Sequence, residues 1–167
     1  MNVGRVRGSI GNRPKKEAEG LFLDLMGQVA DYAEKRGVTI ILEPVNRYEI
    51  DYINSVDQGA ELVRKMGRKN FALMPDVFHM NIEEKNMFAA MSDMAGYTVH
   101  VHLADNNRRY PGSCGMDMYR VISTLKKAGY DNGFSIEIMQ LPNMETAAKR
   151  SIEYLAPIFE KEYGRKI

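Results

Sequence analysis

Two of the three histidines in this 167-residue chain occupy alternate positions of one predicted strand, at the start of residues 98–112. Apolar residues alternate with His100 and His102, and the two-residue period of a strand puts both imidazoles on one face. A polar loop with two arginines and a Pro-Gly turn follows. His102 lies nearest the carboxyl end of the strand, where open α/β folds and barrels place their chemistry.

Three acidic residues lie at the ends of other predicted strands. Glu43 ends the segment TIILE, Asp76 ends FALMPD and Glu137 lies near the end of FSIEI. Strand alternation puts each of them on the inward face with His102, so the four side chains are predicted to meet around one point. Three carboxylates and one imidazole form a mostly oxygen donor set, which favours Mn²⁺, Mg²⁺ or Co²⁺. The alternative is four unrelated polar residues, which is less favourable because buried carboxylates are costly unless paired or metal-bound.

Three further polar residues follow these strands. Glu49 lies past the second strand, His79 past the third and Arg108 past the fourth. Taken singly, Arg108 is interpreted as a solvated loop charge and His79 as a structural histidine. Their shared position in loops on the side of the acids favours a functional role. His100 lies one layer deeper and is predicted to be a hydrogen-bonded core histidine.

The strands alternate with helical patterns along the whole chain. Strands are predicted at residues 3–7, 39–43, 71–76, from 98 onward and at 134–138. Five βα units imply a parallel sheet with helices outside. A complete (βα)8 barrel needs about 250 residues, so the prediction is a partial barrel of about five units. Residues 1–167 are interpreted as a single domain.

Capping residues predict where the helices begin and end. The signals are Pro14 and Gly37 for the first helix, Ser55 with Gln58 and Gly67 for the second, Asn81 with Glu84 and Gly96 for the third, Asp117 and Gly129 for the fourth, and Asn143 for the last. Pro157 is predicted to kink or end the last helix.

The composition is that of an ordinary globular protein. It is 44% hydrophobic with a formal net charge of +1, which gives no support for a nucleic-acid or membrane partner. No apolar run reaches the roughly 18 residues of a membrane span, and the N-terminus has no apolar signal region. The single cysteine, Cys114, cannot form an internal disulfide, so we expect a cytoplasmic location.

Four motifs carry a resemblance to a known family. They are EPVNRYE at residues 43–49, DVFHMNIEE at 76–84, His102 followed by NRR at 107–109 and PG at 111–112, and SIE at 135–137. With these motifs and spacings, the chain resembles the xylose-isomerase-like sugar isomerases and epimerases, most closely the ketose 3-epimerases of the tagatose and psicose type.

The resemblance implies a set of roles. It implies that one divalent metal, Mn²⁺ in the first place and otherwise Co²⁺ or Mg²⁺, is bound by Glu43, Asp76, His102 and Glu137. It implies that Glu43 and Glu137 also act as the acid–base pair in C3 epimerisation of a ketose through an enediolate. It also implies that Glu49, His79 and Arg108 bind the sugar.

The resemblance also raises two expectations about completeness. Cys114 stands where the family usually has a glycine. The chain corresponds to the fourth to eighth βα units, so the first three are expected to be missing. Two open strand edges would then favour a homo-oligomer, or pairing with a separate N-terminal half.

Two alternatives to a working epimerase stay open. One is a catalytically incomplete barrel fragment that retains a metal site. The other is a metal-dependent nuclease of the endonuclease IV type, against which the few histidines and the near-zero net charge argue.

Overall fold

A computed structural model, which describes residues 1–166, contains five parallel strands in chain order. They are β1 (Asn2–Val3), β2 (Ile40–Leu42), β3 (Phe71–Leu73), β4 (His100–Leu103) and β5 (Gly133–Ile136). β1, β2 and β3 pair side by side, as do β4 and β5. Isolated parallel bridges from Leu73 to Thr98 and from Asp76 to His102 join the two groups. The spatial order of the strands therefore equals their sequence order, as in part of a barrel.

Six α-helices connect the strands. They are α1 (Lys15–Glu34), α2 (Val56–Met66), α3 (Val77–Glu83), α4 (Met87–Met94), α5 (Met118–Lys127) and α6 (Met144–Tyr163), with short 3₁₀ turns at Arg5–Arg7 and Ala95–Tyr97. The predicted caps Ser55, Asp117 and Asn143 each accept a hydrogen bond from a backbone N–H of the following helix. Gly67 ends α2 in the left-handed conformation. None of the described helices is both long and apolar enough to cross a membrane.

The main core lies between the sheet and the helices. Leu42, Leu73 and Leu103 point to this side and are almost completely buried. On the opposite face, His100 is only partly buried and Ser135 is exposed. The sheet thus has one closed face under the helices and one face that is partly open, with the strand ends at its edge.

Two of the predicted boundaries are wrong: the end of the first strand and the start of the helix that follows β3. β1 ends at Val3 because the next residues form a 3₁₀ turn, in which Arg7 donates hydrogen bonds to the carbonyls of Gly4 and Glu43. After β3, the chain forms two helices instead of one that begins at Asn81. Asp76 caps α3 and Asn86 caps α4.

Two further predictions hold only in part. Pro157 does not end α6, which continues to Tyr163, and Phe159 and Tyr163 pack on Phe134 with ring centroids 5.0 and 5.8 Å away. His100 is hydrogen-bonded as predicted, with its Nε2 2.8 Å from Ser135 Oγ, but it is not a core residue. It lies on the partly open face of the sheet.

Candidate metal centre

The strand ends deliver the four predicted ligands to one edge of the sheet. Glu43 directly follows β2, and His102 is the third residue of β4. Asp76 is the N-cap of α3, and its Oδ1 accepts a hydrogen bond from the N–H of Phe78 at 2.8 Å. This cap fixes the carboxylate so that Oδ2 is free to face His102, to which Asp76 is also bridged through the backbone.

The four side chains converge on one point. One ligand atom from each of Glu43, Asp76, His102 and Glu137 lies within 4.8 Å of the others. His102 Nδ1 is 3.1 Å from Glu43 Oε1, 2.9 Å from Glu137 Oε2 and 3.7 Å from Asp76 Oδ2. Three carboxylates therefore surround one imidazole nitrogen.

The electrostatics of the cluster favour a positive charge at its centre. Burial alone would lower the pKa of His102, but hydrogen bonds with Asp76, Glu137 and Glu43 raise the pKa to about 11. The hydrogen bond with His102 lowers the pKa of Glu137 to about 2, and Arg108 contributes in the same direction. Three carboxylates and one imidazole nitrogen offer a compact cation an anionic, oxygen-rich site, so the donor set fits a divalent metal, which would take the place of the His102 proton.

Arg108 lies against the same carboxylates. Its Nη1 is 2.5 Å from Asp76 Oδ2 and its Nη2 is 2.7 Å from Glu137 Oε2. The guanidinium also lies over the ring of Phe78, with Cζ 4.7 Å from the centroid. Its side chain is only 17% exposed, so it is not a solvated loop charge.

The two other predicted loop residues lie next to each other beside the cluster. The side-chain nitrogen of Asn46 is 2.8 Å from His79 Nδ1 and 2.9 Å from Glu49 Oε1. Burial lowers the pKa of His79, which keeps the ring neutral near pH 7. Because the Asn46 amide donates to Nδ1, the neutral ring carries its proton on Nε2.

A cleft of about 370 Å³ brings the predicted residues together. Small-molecule sites in proteins typically have volumes of roughly 300–1,000 Å³. The lining residues come from β1, the strand ends and the loops: Asn2, Gly4, Arg5, Val6, Glu43, Val45, Glu49, His79, Arg108 and Glu137. Asp76 and His102 lie beneath this lining, in contact with Arg108 and Glu43 respectively.

Sequence reasoning missed three residues around Glu43 and His79. Asn2 Nδ2 donates to Glu43 Oε2 at 2.8 Å, while Oε1 faces His102. A side chain at Gly4 would put its Cβ 2.6 Å from Glu43 Oε2, so only glycine leaves this carboxylate in place. Asn46, which orients His79, stands inside the EPVNRYE motif; Asn2 and Gly4 carry no comparable signal.

The model of the xylose isomerase-like TIM barrel family matches residues 1–158. The chain belongs to this family. The xylose isomerase-like fold confirms the prediction of a parallel, barrel-type α/β architecture, of which the described residues form five strands.

Named epimerases are among the proteins of this family that the chain resembles. It is 36% identical over 106 residues to the ketose 3-epimerase of Arthrobacter globiformis, a match that covers 64% of this chain and 37% of that protein. It is 33% identical over 107 residues to the 3-dehydro-D-guloside 4-epimerase of Escherichia coli strain K12, covering 64% and 41%. A solved structure of L-ribulose 3-epimerase superposes with a TM-score of 0.83 at 26% identity, covering 89% of this chain and 56% of that one. The matches thus span well under two thirds of the relatives' own length.

Proposed function

We propose that this chain carries the metal and acid–base centre of a ketose epimerase, and that the reaction inverts C3 of a ketose. The observation that supports this most strongly is the convergence of Glu43, Asp76 and Glu137 on His102 beside a cleft of sugar-compatible size. The similarity to named ketose 3-epimerases supports the substrate class.

The metal is proposed to be held by Glu43, Asp76, His102 and Glu137. When bound, a divalent ion supplies positive charge that stabilises the negative charge developing on the ketose oxygens. The mostly oxygen donor set favours Mn²⁺, Mg²⁺ or Co²⁺, with Mn²⁺ proposed first.

Glu43 and Glu137 are proposed as the acid–base pair. They reach the cluster from β2 and from the end of β5, on either side of β3 and β4 in the sheet. Two carboxylates that approach from different sides suit a reaction in which one removes the proton from C3 and the other returns a proton to the opposite face. Removal of the proton next to the carbonyl gives an enediolate, whose reprotonation completes the inversion.

Three residues are proposed to bind the sugar. His79 Nε2–H and the Arg108 guanidinium can donate to sugar or carbonyl oxygens, and Glu49 can accept from a hydroxyl. The orientation of His79 by Asn46 supports its role, because a fixed tautomer gives a donor of defined direction.

Transfer of deuterium from solvent tests the proposed reaction. The Mn²⁺-loaded chain, incubated with D-fructose in D₂O, is expected to give a C3 epimer with deuterium at C3, because the carboxyl that returns the proton carries deuterium taken from the solvent. Proton and deuterium NMR of the recovered sugar measures the position of the label. Formation of an aldose with deuterium at C2 would favour an isomerase, because that reaction removes a proton from C1 and adds one to C2. The absence of exchange in the folded, metal-loaded chain would contradict the proposal.

We also propose that the chain assembles through its open strand edges, with a second copy or with a polypeptide that supplies further βα units. Among the described residues, β1 and β5 each pair on one side only. The outer face of α1 carries exposed Leu21, Leu25 and Tyr32 at helical spacing. Open strand edges and exposed apolar surface each favour association.

Light scattering after size-exclusion chromatography tests this assembly. At micromolar concentration the chain expressed by itself is expected to elute with at least twice its 19.0 kDa mass. A compact monomer with a cooperative melting transition would contradict the proposal.

A further inference from the structure

A buried carboxylate outside the proposed metal centre organises the loop after β4. Asp105 is 0% exposed, and its two oxygens accept four backbone hydrogen bonds. Oδ2 accepts from the N–H groups of Gly112 at 3.0 Å and Cys114 at 2.9 Å. Oδ1 accepts from Met116 at 3.0 Å and from Asn106 at 2.8 Å. Because a buried charge is costly without such partners, these bonds compensate the carboxylate and fix the loop around it.

The backbone of the same residue closes a tight turn around Arg108. The N–H of Asp105 donates to the carbonyl of Arg109 at 3.0 Å, and the carbonyl of Asp105 accepts from the N–H of Arg108 at 2.9 Å. Within this turn Arg108 has a φ of 61°, in the left-handed region. A non-glycine residue there is held against its intrinsic preference, which requires support from the surrounding structure.

The guanidinium of Arg108 depends on this backbone for its place. The turn directs it to Asp76 at 2.5 Å and Glu137 at 2.7 Å, over the ring of Phe78. Within residues 1–166, the backbone of Arg108 makes one further hydrogen bond: its carbonyl accepts from the N–H of Met139 at 2.7 Å. A change in the turn would therefore move the guanidinium.

We propose that Asp105 is a positioning residue, which sets the Arg108 guanidinium against Asp76 and Glu137 by holding the loop backbone. The Asp105 side chain does not contact Asp76 or Glu137 itself; its hydrogen bonds go to the backbone of its own loop. The step from the position of Arg108 to sugar binding rests on the proposed function; the positioning itself does not.

Asparagine is the informative replacement for Asp105. It has nearly the same shape, but it offers one acceptor oxygen instead of two and turns an NH₂ group toward two backbone N–H donors. Amide hydrogen exchange of residues 106–116 should then accelerate at least about tenfold, as expected for the loss of one charge-assisted hydrogen bond. Asp105→Ser, which keeps one short acceptor, replaces this variant if the asparagine form does not fold.

NMR of the metal-free chain labelled with ¹⁵N-arginine gives the direct readout. The side-chain signal of Arg108 is assigned by its loss in Arg108→Lys. We expect Asp105→Asn to shift and broaden this signal. Asp51→Asn is the matched control, because Asp51 also accepts two backbone N–H groups, from Ile10 and Gly11, away from Arg108. An unchanged Arg108 signal in Asp105→Asn, or an equal change in Asp51→Asn, would overturn the proposal.

If the chain turns over a ketose, steady-state kinetics provide a second test of the link between Asp105 and Arg108. Asp105→Asn is expected to raise KM for the ketose about tenfold or more, since misplacing an orienting group costs up to about 100-fold. The increase should vanish in the Arg108→Lys background, and an equal increase in both backgrounds would overturn the link to Arg108. If the parent chain turns over no sugar, the proposed function fails, while the NMR result still decides the positioning role.

Discussion

Replacing Asp76 with alanine is expected to weaken Mn²⁺ binding by at least about 100-fold, because loss of an outer partner of a metal site alone costs 10–100-fold and Asp76 is proposed as a direct ligand. The completely buried carboxylate lies 3.7 Å from His102 Nδ1 and shares the cluster with Glu43 and Glu137. Its removal takes away one of three negative charges. Isothermal titration calorimetry with MnCl₂ measures the affinity.

The control for this variant is Asp117→Ala. Asp76 and Asp117 both cap a helix, α3 and α5 respectively, so both replacements lose a cap worth about 1 kcal/mol of stability. Asp117 lies outside the set of four converging ligands, so its variant should bind Mn²⁺ as the parent does. Equal affinities in parent and Asp76→Ala would refute the role of Asp76 as a ligand.

Replacing Glu137 with glutamine is expected to lower the rate of deuterium exchange at C3 by about 10²–10⁴-fold, the usual contribution of a general acid or base. The amide has nearly the same shape, but it cannot take up the proton. Glu137 is ionised at neutral pH, because the hydrogen bond with His102 and the charge of Arg108 lower its pKa to about 2. Mn²⁺ binding should weaken much less than exchange, since the amide oxygen remains as a donor.

Glu145→Gln gives the matched control for this second variant. Glu145 lies in the first turn of α6, is exposed and is not among the residues that line the cleft. Its replacement should leave exchange at C3 unchanged. If Glu137→Gln retained the parental exchange rate with Mn²⁺ bound, the acid–base role of Glu137 would be wrong.

The strand pattern predicted which side chains meet, although most of them lie just outside the strands. Parallel strands end at one edge, so Glu43, Asp76 and His102 were predicted to lie together. In the structure, Glu43 directly follows β2 and Asp76 lies three residues past β3. Their actual convergence, with Glu137, agrees with that prediction. The same two-residue period puts Leu42, Leu73 and Leu103 on the opposite face, and in the structure they are buried under the helices.

Residues that act through loop conformation could not be predicted in this way. Asn2 donates a hydrogen bond to Glu43, which is 41 residues away in the sequence. Asp105 accepts hydrogen bonds from backbone N–H groups as far as 11 residues later in the chain. Arg108 adopts a left-handed φ of 61° in the same loop, and no local sequence signal predicts it. Contacts of this kind depend on the tertiary fold, so periodicity and propensity carry no information about them.

Short capping signals were reliable only where a helical pattern followed directly. Ser55, Asp117 and Asn143 cap helices as predicted. Asn81 and Glu84 match a capping pattern by spacing alone: Asn81 lies inside α3, and Glu84 accepts a hydrogen bond from the N–H of Val56 instead. The competing cap at Asp76 begins the helix five residues earlier, because Asp76 Oδ1 accepts a hydrogen bond from the N–H of Phe78.

Anomalous X-ray scattering from crystals of the chain grown with MnCl₂ tests the proposed metal centre most directly. A metal held by the four strand-end side chains predicts one strong peak, contacted by Glu43, Asp76, His102 and Glu137. The same crystals of Asp76→Ala should show the peak weakened or absent. A peak bound elsewhere, or none at Mn²⁺ concentrations that saturate binding in solution, would contradict a metal centre at this edge of the sheet.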